Sequence, residues 1–260
     1  MEDKATWAHD PAFTFAYDES GQHIVDVSDP GAVRDLKPKP AVMRQFLNRV
    51  AAGAEMPTQS CEAAAATHRS MDTAAAYGSE LIQDRTKGNT KPLALHFLAG
   101  KQTFLDAAAK LRDGLHEDDV KEALLGPWKG QSRLPSMSWD ATVFRNYALR
   151  ASDPSGEKRG STPGADWLAF VSLGLFLVTP VGGELITAGV RGGWKNSTFT
   201  WALWHGALNT SVIRSVLTAR QPAKLSAAER RGRGIGVVFS STIMRSDQGG
   251  YGSFAPARVL

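Results

Sequence analysis

The chain has 260 residues, 42% apolar and 22% charged, with a net charge of +4. That balance belongs to a folded protein with one large domain or two small ones, and it excludes wholesale disorder. A single cysteine, Cys61, excludes an intrachain disulfide framework and a metal site of several thiolates, and fits a reducing compartment.

The opening MEDKATWAHDPAF carries acids where a secretory signal would carry bases, so a cytoplasmic chain is expected. Residues 12–27, AFTFAYDESGQHIVDV, alternate apolar and polar on both sides of Glu19-Ser20-Gly21, which predicts a hairpin. Pro40, after Lys37-Pro38-Lys39, is placed to open a helix through Val42, Phe46, Leu47 and Val50. The alanine-rich stretch from Ser60 to Asp84 is helical by propensity. Its thin hydrophobic face suits it to lie on a partner surface. Leu93, Phe97, Lys101, Phe104, Leu105, Ala108 and Leu111 follow three- and four-residue spacing, which predicts one helix ending at Asp113-Gly114. Glu117-Asp118-Asp119 charges the first turn of a short helix closing at Gly126-Pro127, favourably for the helix dipole.

The second half changes character. Strand-like pieces occur at Met137–Asp140 and Tyr147–Ala151, and a loop of charged and small residues runs from Asp153 to Gly164. An apolar helix is expected at 165–178. The apolar run Trp167–Val181 is about fifteen residues, short of the roughly 20 a bilayer span needs, and Pro180 to Gly183 breaks it. It reads as buried helix, and no membrane partner is expected. Strands follow at Leu185–Val190 and Thr198–Trp204. A helix from Asn209 to Ala219 has Asn209 or Thr210 as its cap and Val212, Ile213, Val216 and Leu217 as its buried stripe. Ile235–Met244 and Tyr251–Val259 read as a closing hairpin around Asp247-Gln248-Gly249-Gly250. The expected fold class is α+β. A hairpin and helical region spans residues 1–130, an α+β region spans 131–260, and a ferredoxin-like topology is one option for the latter.

Charge is unevenly spread. Leu185 to Leu260 holds Arg191, Lys195, Arg214, Arg220, Lys224, Arg230, Arg231, Arg233, Arg245 and Arg258 against Glu229 and Asp247 alone. The first 36 residues lean acidic. A basic third on a near-neutral protein points to a polyanion partner, and the acidic end to a protein neighbour. Gly232-Arg233-Gly234-Ile235-Gly236 precedes a strand, whereas a dinucleotide fingerprint follows a strand and opens a helix. Arg230, Arg231 and Arg233 are therefore candidates to grip phosphates, the alternative being an ordinary basic loop. Among the aromatics that interleave with bases, Trp194 is expected to be accessible because Gly192, Gly193 and Lys195 surround it. Trp201 is not, because it alternates with apolar neighbours. No two of the six histidines have the spacing of a helical zinc site. His96 reads as a core histidine, and His205 is the best acid–base candidate. No catalytic constellation, metal site or small-molecule cofactor is expected.

LHFLAGKQTFLDAAAKL at 95–111, EALLGPWKG at 122–130, SWDATVFRNYALRASDPS at 138–155, PGADWLAF at 163–170 and the closing YGSFAPARVL resemble segments of a CRISPR-associated protein. The family is the large- or accessory-subunit-like component of type I-G (formerly I-U) Cascade. The resemblance covers roughly residues 90–260. It implies a non-catalytic subunit of an RNA-guided surveillance complex that holds guide RNA or target DNA beside other Cascade subunits, with cleavage supplied by a separate helicase-nuclease. It adds Lys101, Gln102, Arg145 and Arg150 to the expected nucleic-acid contacts, with Arg191, Trp194, Lys195, Arg230, Arg231 and Arg233. Residues 1–90 have no counterpart in it, which favours a compact or accessory version. Two other readings stand beside this one: a metal-independent guide-RNA-processing RNase with His205 as base, and a module whose basic face meets an acidic protein.

Overall fold

The computed structural model describes residues 36–44, 47–48, 75–98, 102–140, 161–219, 224–245 and 251–260. The expected hairpin at 12–27, Cys61, most of the alanine-rich stretch, the piece at 147–151 and most of the loop after Asp153 lie outside them. So does the turn at 247–250. The fold class is α+β, with helices and antiparallel sheets. The described residues fall into two compact units that interleave along the chain. One is drawn from residues 1–96, 103–109 and 171–188, the other from 97–102, 110–170 and 189–260.

In the first unit a helix opens at Pro40, whose missing N–H costs nothing in a first turn. Strands β1 (Gly78–Gln83) and β2 (Thr90–Pro92) pair antiparallel. Their connection is held by Asp84, whose carboxylate accepts from the backbone N–H groups of Thr86, Lys87 and Asn89 at 2.9, 2.6 and 3.0 Å. The helix expected to run on to Asp84 therefore ends at Tyr77. From Gly78 the backbone finds ladder partners in 90–92, and alanine propensity, a few tenths of a kcal/mol per residue, is overridden. Strands β3 (Val178–Val181) and β4 (Glu184–Thr187) form a second hairpin through Gly182-Gly183. The predicted helix at 165–178 is thus shorter: it stops at Val171, passes through a 3-10 turn at Ser172–Leu175 and becomes strand. Pairing of Val178 with Thr187 decides the change.

Helix α1 (Phe104–Gly114) buries Phe104, Leu105, Ala108 and Leu111 at the expected spacing and ends where expected. It does not begin at Leu93. Residues 93–98 are irregular yet, apart from half-buried Ala94, buried, and the Phe97 carbonyl accepts from the Gly252 N–H at 3.0 Å, so a distant strand end takes the backbone bond a helix would have used. Helix α2 (Glu117–Leu125) starts at His116, whose N–H donates to the Asp119 carboxylate at 2.9 Å, and stops at Gly126. The piece at Met137–Asp140 is not a strand, because Ser138 has a φ of 65°, outside any strand conformation.

Helix α3 (Pro163–Val171) buries Trp167 and Phe170. Beyond it lies a five-stranded antiparallel sheet: β5 (Val190–Arg191), β6 (Ser197–Trp204), β7 (Ile235–Arg245) and β8 (Gly252–Phe254) in that order, with β9 (Arg258–Val259) also on β7. The stretch Leu185–Val190 is split between β4 and β5 by Gly189, whose φ of 76° breaks the strand. Helices α4 (Thr210–Thr218) and α5 (Ala227–Gly232) fill the connection between β6 and β7. Strands β5 to β8 are paired in sequence order and β9 returns to β7, whereas a ferredoxin-like sheet interleaves its strands. Of the two expected caps it is Asn209 that caps α4, accepting from the Val212 N–H at 2.9 Å. Only the end of its stripe is buried. Val216 joins a core with Ala202, Ile235 and Val238, and Val212 remains 39% exposed.

Candidate nucleic-acid interface

The residues joining β5 to β6 turn tightly. Gly192 has a φ of 94°, and a Cβ there would run into the Asn196 carbonyl. The Asn196 N–H donates to the Gly193 carbonyl at 3.1 Å. This turn lifts Trp194 to 51% exposure, with exposed Arg191 before it and exposed Lys195 after it. Three of the expected contact residues therefore share one hairpin.

Arg245, the last residue of β7, reaches the same place. Its guanidinium carbon lies 3.6 Å from the Trp194 ring centroid and 5.4 Å from that of Phe97. Burial among these rings pushes its pKa down to about 10, so it stays protonated at neutral pH. A cation over an indole is worth about 0.5–2 kcal/mol, more as water is excluded, which is enough to bias the ring toward one orientation. In the sequence Arg245 is one of ten bases in the last third, and nothing in its neighbours sets it apart. Strand alternation would have placed it on the same face as Phe239 and Ile243.

That face carries a row of aromatic rings. Trp201 stands opposite Phe239 across the β6–β7 ladder, with centroids 5.6 Å apart. Phe199 stacks on Trp201 at 5.2 Å and on Phe254 at 5.6 Å, and Phe254 meets Phe97 edge-on at 4.8 Å. Trp201 is half-buried within this row. At the outer end of the row Leu203 is exposed.

The other basic cluster sits at the opposite end of β7. Ser226 and Glu229 form a capping box that starts α5, with Ser226 N to Glu229 Oε2 at 2.8 Å. Arg231 and Arg233 are exposed at the end of this helix. Arg230 is half-buried and donates to the carbonyls of Leu225 and Leu260 at 3.1 and 3.2 Å, a tie within the fold. At about 3.4 Å per residue, the strand from Ile235 to Arg245 sets the two clusters roughly 30 Å or more apart along its axis. His205 is exposed just after β6. Its N–H donates to the Gly234 carbonyl at 2.9 Å and its ring lies against Gly236. Gln102 is exposed. Lys101, Arg145 and Arg150 lie outside the described residues.

A second polar group is buried at the start of α3. The Asp166 carboxylate accepts from the Met137 N–H at 3.2 Å and from the Ser136 side chain. Burial raises its pKa to about 6; those hydrogen bonds oppose the shift and the charge of Asp140 adds to it. Beside Met137, fully buried Ser138 shares a 2.6 Å hydrogen bond with the Tyr251 hydroxyl. In sequence, Asp166 shows only as an acid in a helix's first turn.

Among the described residues no helix is long and apolar enough to cross a membrane, and no three His, Cys, Asp or Glu side chains are placed to hold a metal ion. No family model, curated protein or solved structure matches the chain.

Proposed function

We propose that this chain is a non-catalytic, nucleic-acid-binding subunit of a Cascade-type CRISPR surveillance complex in the cytoplasm, holding guide RNA or target DNA beside other subunits. The observation that carries the reading is the hairpin of Arg191, Trp194 and Lys195, where an exposed indole stands between two exposed cations. Cations supply phosphate affinity with no sequence preference, and an aromatic surface supplies stacking. Arg231 and Arg233 give a second exposed positive site at the far end of β7, so a backbone can be followed along the sheet and not only gripped at one point. The segments at 95–111, 122–130, 138–155, 163–170 and 251–260 support the assignment to the type I-G assembly by their resemblance to its large- or accessory-subunit-like component.

Fluorescence anisotropy of the purified chain with single-stranded RNA and with duplex DNA, at several salt concentrations, tests the binding. Affinity should fall steeply with salt, and both nucleic acids should remain uncut. Arg231→Glu with Arg233→Glu should weaken binding to every sequence and flatten the log–log salt slope by about 1.4 for a single strand, near 0.7 per lost phosphate contact. An unchanged slope would remove the end of α5 from the interface. Absence of wild-type binding at low salt would count against the reading as a whole.

A further inference from the structure

We infer that Trp194 is a base-stacking platform for one unpaired nucleobase, held flat by Arg245 on its inner face and open on its outer face. The inference rests on the nucleic-acid reading above and adds the kind of strand and the contacting atom group. Trp194 is 51% exposed although a guanidinium sits 3.6 Å from its ring centroid. A large aromatic in water on a mobile loop would gain little by ordering. This one is ordered twice: the turn is set by Gly192 and the Asn196–Gly193 hydrogen bond, and Arg245 is itself lodged beside Phe97 at the end of an eleven-residue strand. Rotamer freedom is thus lost on folding and not on binding, which is what makes a contact efficient.

The occupant follows from chemistry. The outer face takes a planar group. Arg191 and Lys195, placed before and after the ring, take anionic groups next to it. A nucleotide offers both at once. Within a duplex the faces of a base are covered by its neighbours, so only an unpaired or terminal base can lie on the indole. Every base has a π face, so the platform reads no sequence. Arg245 acts here as a positioning residue and does not meet the strand.

The test compares the full-length wild type, Trp194→Ala and Trp194→Phe by anisotropy on a labelled single-stranded RNA, and on a blunt duplex DNA labelled internally. Circular dichroism and the urea midpoint confirm that each variant is folded. Trp194→Ala should lose roughly 5- to 150-fold in single-strand affinity, the range that one stacked base supplies, with duplex affinity unchanged. Its salt slope should match that of the wild type, because no phosphate contact is lost. Trp194→Phe, which keeps a smaller ring, should fall between them. Equal single-strand affinity of Trp194→Ala and wild type would overturn the platform and leave the polyanion reading standing. An equal loss on both nucleic acids would overturn stacking in favour of a general contact. Failure of the wild type to bind either probe would overturn both.

Discussion

Asp166 makes the stability of this protein depend on pH with an unusual sign. Its carboxyl is raised from 3.8 to about 6 because α3 and the segment around Met137 remove it from water. Between those two values the folded chain holds a proton that the unfolded chain has released. Its contribution is therefore fully present below about pH 4 and is lost as pH rises through about 6. About two pKa units correspond to about 3 kcal/mol, a large share of the roughly 5–15 kcal/mol that holds a typical fold together. Carboxylates with lowered pKa act oppositely: Asp84, held by backbone N–H groups, and Glu117, Glu184 and Glu229, held by Lys121, Lys91 and Ser226. Asp84 is half-buried and the three glutamates are exposed and screened, and the contributions of all four cancel when wild type is compared with Asp166→Asn. Urea unfolding of both proteins at each pH from 4 to 8 should show wild-type stability falling by about 3 kcal/mol relative to the variant up to pH 7, then levelling. A difference that does not vary with pH would refute the argument, because it would mean that Asp166 has the same proton affinity folded and unfolded.

Two further substitutions probe the packing and capping of the same fold. Gly164→Ala would drive a Cβ into the Asp119 carbonyl of α2, a backbone atom that cannot swing aside. It should cost about 1–3 kcal/mol or more, read as a lower thermal midpoint. Asn209→Ala removes the side-chain acceptor for the Val212 N–H and should cost about 1 kcal/mol, seen as a small shift in the urea midpoint with its slope kept; Asn209→Ser should restore most of it.

The interface and the buried carboxylate differ in how far each could be foreseen. Trp194 could be placed at the surface from Gly192, Gly193 and Lys195 because the cause is local: small residues make a turn, and a turn lifts what it carries. Arg231 and Arg233 were legible too, since charged side chains on a short basic segment stay in water. Arg230 looked identical in sequence, yet the carbonyls of Leu225, five residues before it, and of Leu260, thirty after it, hold it. The segment 93–98 satisfied helical spacing and is not helical, because spacing records which residues are apolar and not which backbone partners they find.

Legible in the sequence alone are the α+β class, a cap at Asn209 or Thr210, the helix end at Gly126, the extent of β6 and β7, and the basic character of the last third. Each follows from a residue and its near neighbours: a side chain that can cap, a dihedral that only glycine or proline favours, a two-residue alternation. Only the tertiary structure decided that Val178–Val181 pairs as a strand, that Asp166 loses its water, and that Arg245 lies under Trp194 fifty-one positions earlier in the chain. Those outcomes depend on contacts between distant segments, whose free energy outweighs local propensity and has no trace in local spacing.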